Sequence, residues 1–176
     1  MLKALSKEGD SFLSEYDFEE IHERVIPATV EETFQAFQSV DFSESGVLRV
    51  LFALRGISKP EKFQKKFVTL YENAPHEVVW GLVARPWKLK GDVLFLTSQE
   101  FKAFDTSGYV KILWGFSFTS DSLSKGCRVQ TVTRIKATDK ASLRKFRLYW
   151  FFIRPFSGFV RKVMLRLILK QVKKVA

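Results

Sequence analysis

The stretch "CRVQTVTRIKATDKASLRKFRLYWFFIRPFSGFVRKVMLRLILKQVKK" (residues 127–174) starts with the alternation of a strand and continues with the period of a helix. The residues of one parity in its first part are Val129, Thr131, Thr133 and Ile135. Such alternation is typical of a strand whose two faces differ. After Asp139, which we expect to cap a helix, apolar residues recur at helical spacing almost to the end. The stretch therefore predicts a sheet covered by one long C-terminal helix.

The predicted C-terminal helix is too long to stay straight over a small domain. From residue 139 to residue 174 it would extend roughly 54 Å, at about 1.5 Å per residue, which exceeds the width of such a domain. Pro155 has no backbone N–H, and Gly158 follows three residues later. Because proline removes a helical hydrogen bond, we predict a kink or a break between these two residues.

The sequence before this stretch predicts one strand, two short helices and then a run of strands. The predicted helices are residues 29–40, which open with the capping-box pair Thr29 and Glu32, and residues 47–56. The predicted strands, including the last one, are residues 18–27, 66–74, 77–86, 92–97, 100–105, 109–119 and 127–138. The links between strands are short and rich in Pro, Gly, Asn and Ser, which favours antiparallel pairing.

These elements predict an α+β fold: a curved antiparallel sheet of six to seven strands wraps around a long kinked C-terminal helix, and two short helices follow the first strand. The chain of 176 residues is of a size for a single domain, 1–176. Residues 1–15 are polar and are predicted to form a flexible arm. If the sheet curls strongly, the helix leaves an apolar cavity, and the 18 phenylalanines are consistent with such an interior.

Several site and protein classes do not fit the sequence. Cys127 is the single cysteine and the two histidines, His22 and His76, are far apart, so neither a disulfide nor a structural zinc site is expected. We find no signal-peptide pattern and no apolar run of the roughly 18–20 residues that span a bilayer. The sequence thus favours a cytoplasmic protein, and it predicts no cofactor.

The net charge of +10 resides in the C-terminal segment. Eleven lysines and arginines follow Asp139 and no acidic residue does, whereas residues 1–138 contain equal numbers of basic and acidic residues. A basic segment of this kind is either a solvated helix face or a surface for anionic lipid or nucleic acid. Nucleic acid is the less favoured partner, because the aromatic residues of the segment read as buried rather than arranged for base stacking.

Four stretches, "VLRVLFALRGI", "RPW", "YVKILWGFSF" and "TVTRIKATDKASLRKFRLYWFFIRPFSGFVRKVML", resemble a bacterial SRPBCC-type group of the helix-grip superfamily. That superfamily includes START lipid-transfer domains, birch-pollen-allergen proteins and polyketide cyclase-like domains. The resemblance covers residues 18–174 and is most specific in "TRIKATD", "YW" and "RPFSG". It implies a cavity for a hydrophobic ligand between sheet and helix. It implies no single chemistry, since members include carriers, sensors, cyclases and non-catalytic subunits.

The candidate ligand-binding residues are Trp87, Trp114, Phe116, Thr131, Thr133, Phe146 and Trp150. The strand and helix aromatics would face each other, either as plain core or as cavity lining. The two threonines would orient a ligand or bond to backbone or water, because buried hydroxyls need partners. Trp87 lies in a hairpin loop, where a large aromatic can act as a lid. Arg85 and Arg134 would bind an acidic head group if they were not solvated.

Catalytic signals are weak. His22 shares a strand face with Glu20 and Arg24, and a histidine–carboxylate pair can transfer protons, although such a pair is more often solvated. No catalytic residue is therefore assigned.

Three functional hypotheses follow. The first is a protein that binds or transports a hydrophobic small molecule or lipid. The second is a cyclase- or hydrolase-like enzyme with a hydrophobic substrate. The third is a peripheral membrane protein that binds anionic lipid through its basic C-terminal helix. Surplus apolar residues of that helix would meet the short helices, a second subunit in a homodimer, or a bilayer; they are Leu148, Phe152, Leu165 and Leu169.

Overall fold

A computed structural model describes residues 4–40, 66–88 and 92–175. Within these ranges the chain is α+β, with four helices and five strands. The helices are α1 (Lys7–Asp10), α2 (Val30–Ser39), α3 (Ser98–Ala103) and α4 (Lys140–Val175). The strands are β1 (Phe18–Ile26), β2 (Val68–Asn73), β3 (Glu77–Ala84), β4 (Val110–Asp121) and β5 (Gly126–Ala137).

The five strands form one antiparallel sheet in the order β1-β5-β4-β3-β2. The hairpin of β4 and β5 is its centre, and its pairing runs without a shift from Val110↔Ala137 to Asp121↔Gly126. Side chains of alternating parity therefore stay on the same face along the whole hairpin.

The sheet has an apolar inner face, which is covered by α2 and α4. On β4, Trp114, Phe116 and Phe118 point to this side and pack with the helices. α2 begins at the predicted capping box: the Thr29 hydroxyl accepts from the backbone N–H of Glu32, and the Glu32 side chain accepts from the backbone N–H of Thr29.

The outer face of the sheet is also covered. Leu5 and Leu13 of the N-terminal arm and Phe101 of α3 are buried against Val79 and Leu113 of the strands. The arm is held by polar contacts as well, because the Glu77 carboxylate accepts hydrogen bonds from the backbone N–H of Ser6 at 2.7 Å and from its hydroxyl at 3.1 Å. Both faces of the sheet therefore pack against other elements, most completely at β3, β4 and β5.

Helix α4 runs through Pro155 without interruption over 36 residues. The predicted break in the 155–158 interval is therefore wrong, and a kink there stays a prediction. The Asp139 carboxylate caps its first turn by accepting from the backbone N–H of Ser142 at 2.8 Å. Gly158 lies where α4 approaches β1 tightly, since a Cβ atom there would be 2.7 Å from Oε1 of Glu20.

Two predicted strands are wrong, so the described residues contain five strands rather than six to seven. Residues 92–97 form only an isolated bridge, between Leu94 and Val83. Residues 100–105 were expected to be extended, but Thr97 and Glu100 form a capping box that begins α3. A short apolar run fits the period of a strand and the period of a helix equally well, and here the capping box determines that the segment is a helix. The predicted helix at 47–56 lies outside the described residues.

No helix in the described ranges combines the length and the apolar character that a bilayer-spanning segment requires.

Candidate functional site

A cavity of about 90 Å³ lies between the inner face of the sheet and the middle of α4. The residues that line it from the sheet side are Phe67, Leu82, Pro86, Ile112, Trp114, Thr133 and Ile135. Those that line it from α4 are Phe146, Tyr149, Trp150, Ser157, Val160 and Arg161. Most of this lining is aliphatic or aromatic, and the polar groups are few, as in many sites for small apolar ligands.

Aromatic packing builds one end of the cavity. The rings of Phe146 and Trp150 are stacked, with centroids 5.7 Å apart and planes 23° apart. Phe18, at the start of β1, packs on both, with its centroid 5.4 Å from that of Phe146 and 6.3 Å from that of Trp150. These contacts exist because one turn of α4 separates the two helix aromatics, which places them on the same helical face.

A cation marks the opposite end of the cavity. Arg161 donates two hydrogen bonds to the Thr133 hydroxyl, of 3.2 Å from Nε and 2.8 Å from Nη2. Its guanidinium carbon lies 4.1 Å from the centroid of the Trp114 ring. The indole Nε1 of Trp114 in turn donates to the hydroxyl of Thr131 at 3.0 Å. The corner formed by Arg161, Trp114, Thr131 and Thr133 thus places a guanidinium group beside the apolar walls of the cavity.

The structure brings together four of the seven candidate residues, because Trp114, Thr133, Phe146 and Trp150 all line the cavity. Thr131 serves as the acceptor for Trp114. The other two lie elsewhere: Phe116 is fully buried and packs on Phe37, with ring centroids 4.9 Å apart. Trp87 is partly buried against the aromatic cluster at the Phe146 end and does not line the cavity.

Sequence reasoning missed Arg161 and Ser157, the two polar side chains that α4 contributes besides Tyr149. A signal was present, since residues 146, 150, 157 and 161 follow one face of a helix of period 3.6. Eleven cations occur in this helix, however, and spacing alone does not distinguish Arg161 from a solvated arginine.

Arg85 and Arg134 do not belong to the cavity lining. Arg134 lies on the outer face, where it binds Asp10 at 2.6 Å and Glu19 at 2.8 Å. Its proposed role for a ligand head group is therefore wrong, because these carboxylates already neutralise it. Arg85 lies 3.3 Å from Asp92 and stacks on the Tyr109 ring at 3.9 Å.

The Glu20–His22 pair lies on the inner face of β1, under α4. Nε2 of His22 is 3.0 Å from Oε1 of Glu20, and the side chains are only 18% and 12% exposed. The second oxygen of Glu20, Oε2, is buried without a hydrogen-bond partner in the described part of the chain. The pair is therefore more enclosed than a solvated surface pair, and its chemistry is that of a proton donor and acceptor. In the described ranges, no group of three or more His, Cys, Asp or Glu residues is arranged to hold a metal ion.

Comparison with known proteins assigns this chain to no family. No family model and no curated protein matches the chain. Among solved structures, the crystal structure of TTHA0849 from Thermus thermophilus is similar, at 12% sequence identity and a TM-score of 0.30. The match covers 89% of this chain and 95% of that chain. A similarity at this level is too low to assign a family or a function.

Proposed function

We propose that this protein is a helix-grip protein of the SRPBCC type that binds or transports a hydrophobic small molecule or lipid between its sheet and α4. The observation that carries the proposal is the cavity, which has apolar walls and one cationic corner. The long helix laid across the inner face of an antiparallel sheet is the arrangement that such a fold requires. A kink in α4 and curvature of the sheet belong to the same proposal.

The size of the cavity limits what it can hold. At about 90 Å³ it is smaller than the roughly 300–1,000 Å³ of pockets that enclose drug-sized ligands. A ligand of that size would place one end in the cavity and extend beyond it, or would move the lining side chains apart.

The apolar walls of the cavity predict the character of the ligand. Arg161 is fixed by Thr133 and by the Trp114 ring, and the rest of the lining is mostly aliphatic or aromatic. A ligand with an apolar body would match these walls. Long-chain fatty acids are simple molecules with such a body.

The test uses cis-parinaric acid, a fluorescent fatty acid, and two substitutions of the same type. Val160 lines the cavity and Val163 does not, although both are 8% exposed and lie on the same helix. We expect the wild-type protein and Val163→Phe to bind the probe and enhance its fluorescence, whereas Val160→Phe fills the cavity and loses most of this binding. Circular dichroism confirms that both variants are folded. Equal binding by Val160→Phe, or no binding by the wild type, would contradict the proposal.

A further inference from the structure

Helix α4 carries an exposed apolar patch on the side that faces away from the sheet. Its members, with the exposed fraction of each, are Leu148 (66%), Phe151 (75%), Phe152 (63%), Phe156 (40%) and Phe159 (46%). Apart from the adjacent pair at 151 and 152, they recur at intervals of three or four residues, so they lie on one helical face over three turns. We call these five residues the α4 patch.

The α4 patch is not part of the cavity. The same three turns contribute Trp150, Ser157 and Val160 to the cavity wall, on the opposite side of the helix. Large apolar side chains that stay in water cost free energy, and a contiguous set of them commonly marks a surface that binds something. The sequence had placed Leu148 and Phe152 off the core stripe, and both are exposed, whereas Leu165 is buried.

Basic residues surround the α4 patch. The exposed cations before and after it along the helix are Arg144, Lys145, Lys162 and Arg166. Residues 140–175 contain no acidic residue, so no negative charge of the helix offsets them. An apolar stripe with flanking lysines and arginines is the pattern of a helix that lies in the interface of a membrane.

Two arginines beside the patch are available for a negatively charged partner. Arg147 and Arg154 line an open groove of about 580 Å³ between the start of β1 and α4, together with Phe18, Trp150 and Phe151. Two carboxylates also line this groove, but Asp17 accepts from the backbone N–H of Ala137 at 2.8 Å and Glu19 binds Arg134 at 2.8 Å. Within the described part of the chain, neither arginine forms an ion pair or a side-chain hydrogen bond. Both side chains are exposed, so their guanidinium groups can reach phosphate at a surface that contacts the patch.

We propose that the α4 patch docks on an anionic lipid bilayer. Its phenylalanines would enter the boundary between head groups and acyl chains, while Arg147, Arg154 and the flanking cations bind lipid phosphates. A second copy of this chain fits the surface less well, because a two-fold contact through the patch would bring two sets of cations together. This docking does not depend on the cavity and stands or fails separately from ligand binding.

The test is co-sedimentation of the full chain with two kinds of vesicle. One is phosphatidylcholine alone, and the other contains about 30% phosphatidylserine, at about 0.1 M salt, where surface charges still act over about 10 Å. We expect binding to the anionic vesicles only, and a strong decrease when the salt is raised to about 0.5 M.

Matched substitutions identify the surface. Phe95 is 77% exposed and lies far from α4 in the sequence, so Phe95→Ser is a control for Phe151→Ser. Because burial of a phenylalanine side chain is worth about one to two powers of ten in a partition constant, we expect Phe151→Ser to reduce vesicle binding by about tenfold or more. Phe95→Ser should bind as the wild type does, and Arg147→Gln with Arg154→Gln should weaken binding to anionic vesicles.

Several results would overturn the proposal. They are equal binding to neutral vesicles, no binding to either kind, or equal losses for Phe151→Ser and Phe95→Ser. Sedimentation equilibrium supplies a further one: a stable dimer of the wild type that Phe151→Ser dissociates would assign the patch to a second copy of the chain instead. Circular dichroism of each variant excludes unfolding as the cause of a loss.

Discussion

The guanidinium group of Arg161, on α4, stacks on the ring of Trp114, on β4, with 4.1 Å between the guanidinium carbon and the ring centroid. Each partner is also tied to β5, since Arg161 donates to Thr133 and Trp114 donates to Thr131. Two threonines on one strand therefore fix the charged and the aromatic wall of the cavity. Because buried polar groups are costly without partners, this network should hold α4 in one register over the sheet.

Removal of the Thr131 hydroxyl should destabilise the protein. Thr131→Val keeps the shape of the side chain but leaves the buried indole N–H of Trp114 without its acceptor. We expect the free energy of unfolding, measured with urea, to fall by about 1–3 kcal/mol. Thr131→Ser retains the hydroxyl and should lose clearly less. Equal losses for the two variants would show that the methyl group, and not the hydrogen bond, matters.

The close approach at Gly158 should appear as a coupling between two residues. Gly158→Ala improves helix propensity by about 0.5–1 kcal/mol, but its methyl group would meet Oε1 of Glu20 at 2.7 Å. We therefore expect little or no stabilisation in the wild-type background and a larger gain in a Glu20→Ala background, where only the His22 ring, at 3.3 Å, stays close to the added methyl group. A double-mutant cycle by urea unfolding measures the difference. Additive effects would show that Glu20 moves aside freely.

Asp139 should make the stability depend on pH in the acidic range. Hydrogen bonds from the backbone of Ser142 and then of Gly108 lower its pKa well below the ordinary value. The unfolded chain thus takes up the proton first, at about pH 4, so the stabilisation is present above that pH and is lost as the pH falls below it. Asp139→Asn should melt at a lower temperature than the wild type near neutral pH, and the two melting temperatures should converge toward about pH 2.

Glu77 should make the stability depend on pH in the opposite direction to Asp139. Burial raises the pKa of this carboxyl group, although its two hydrogen bonds from Ser6 act against the increase. The folded protein then binds the proton more tightly than the unfolded chain. As the pH falls from the raised value toward the ordinary glutamate pKa of about 4.3, the wild type should gain stability relative to Glu77→Gln. Thermal unfolding of both proteins over this range tests the sign.

The same carboxylate should keep the N-terminal arm on the sheet. In Glu77→Ala both bonds from Ser6 are lost, and the space next to Gly9 is left open. Hydrogen exchange of the amides in residues 4–13 should accelerate, while amides of the β4–β5 hairpin should change little. Uniform acceleration in both regions would indicate global destabilisation instead of local release of the arm.

The sequence was informative where one pattern dominated a long element. The alternation of Val129, Thr131, Thr133 and Ile135 predicted the last strand, β5, and Asp139 predicted the start of α4. Residues 100–105 begin in a helix rather than in the predicted strand, because six residues carry too little periodicity and the cap at Thr97 determines the structure. The sequence also did not predict that Leu5 and Leu13 cover the outer face of the sheet, because the N-terminal arm around them is polar in composition.

The candidate site was predictable only in its apolar part. Phe146 and Trp150 repeat at helical spacing, and that spacing placed them opposite Trp114. The cation was not predictable, because the choice of Arg161 among eleven basic residues depends on where β5 presents Thr133. The position of Arg161 in the cavity thus depends on the contact between α4 and β5, which the sequence pattern of one helix does not contain.

Trp150 has the cavity on one side and the groove of Phe151 and Arg154 on the other, because it lines both. Its indole is therefore a part of the wall that the two spaces share. A substitution at residue 150 would change the cavity and the groove at the same time, whereas substitutions at Val160 or Phe151 each affect one of them.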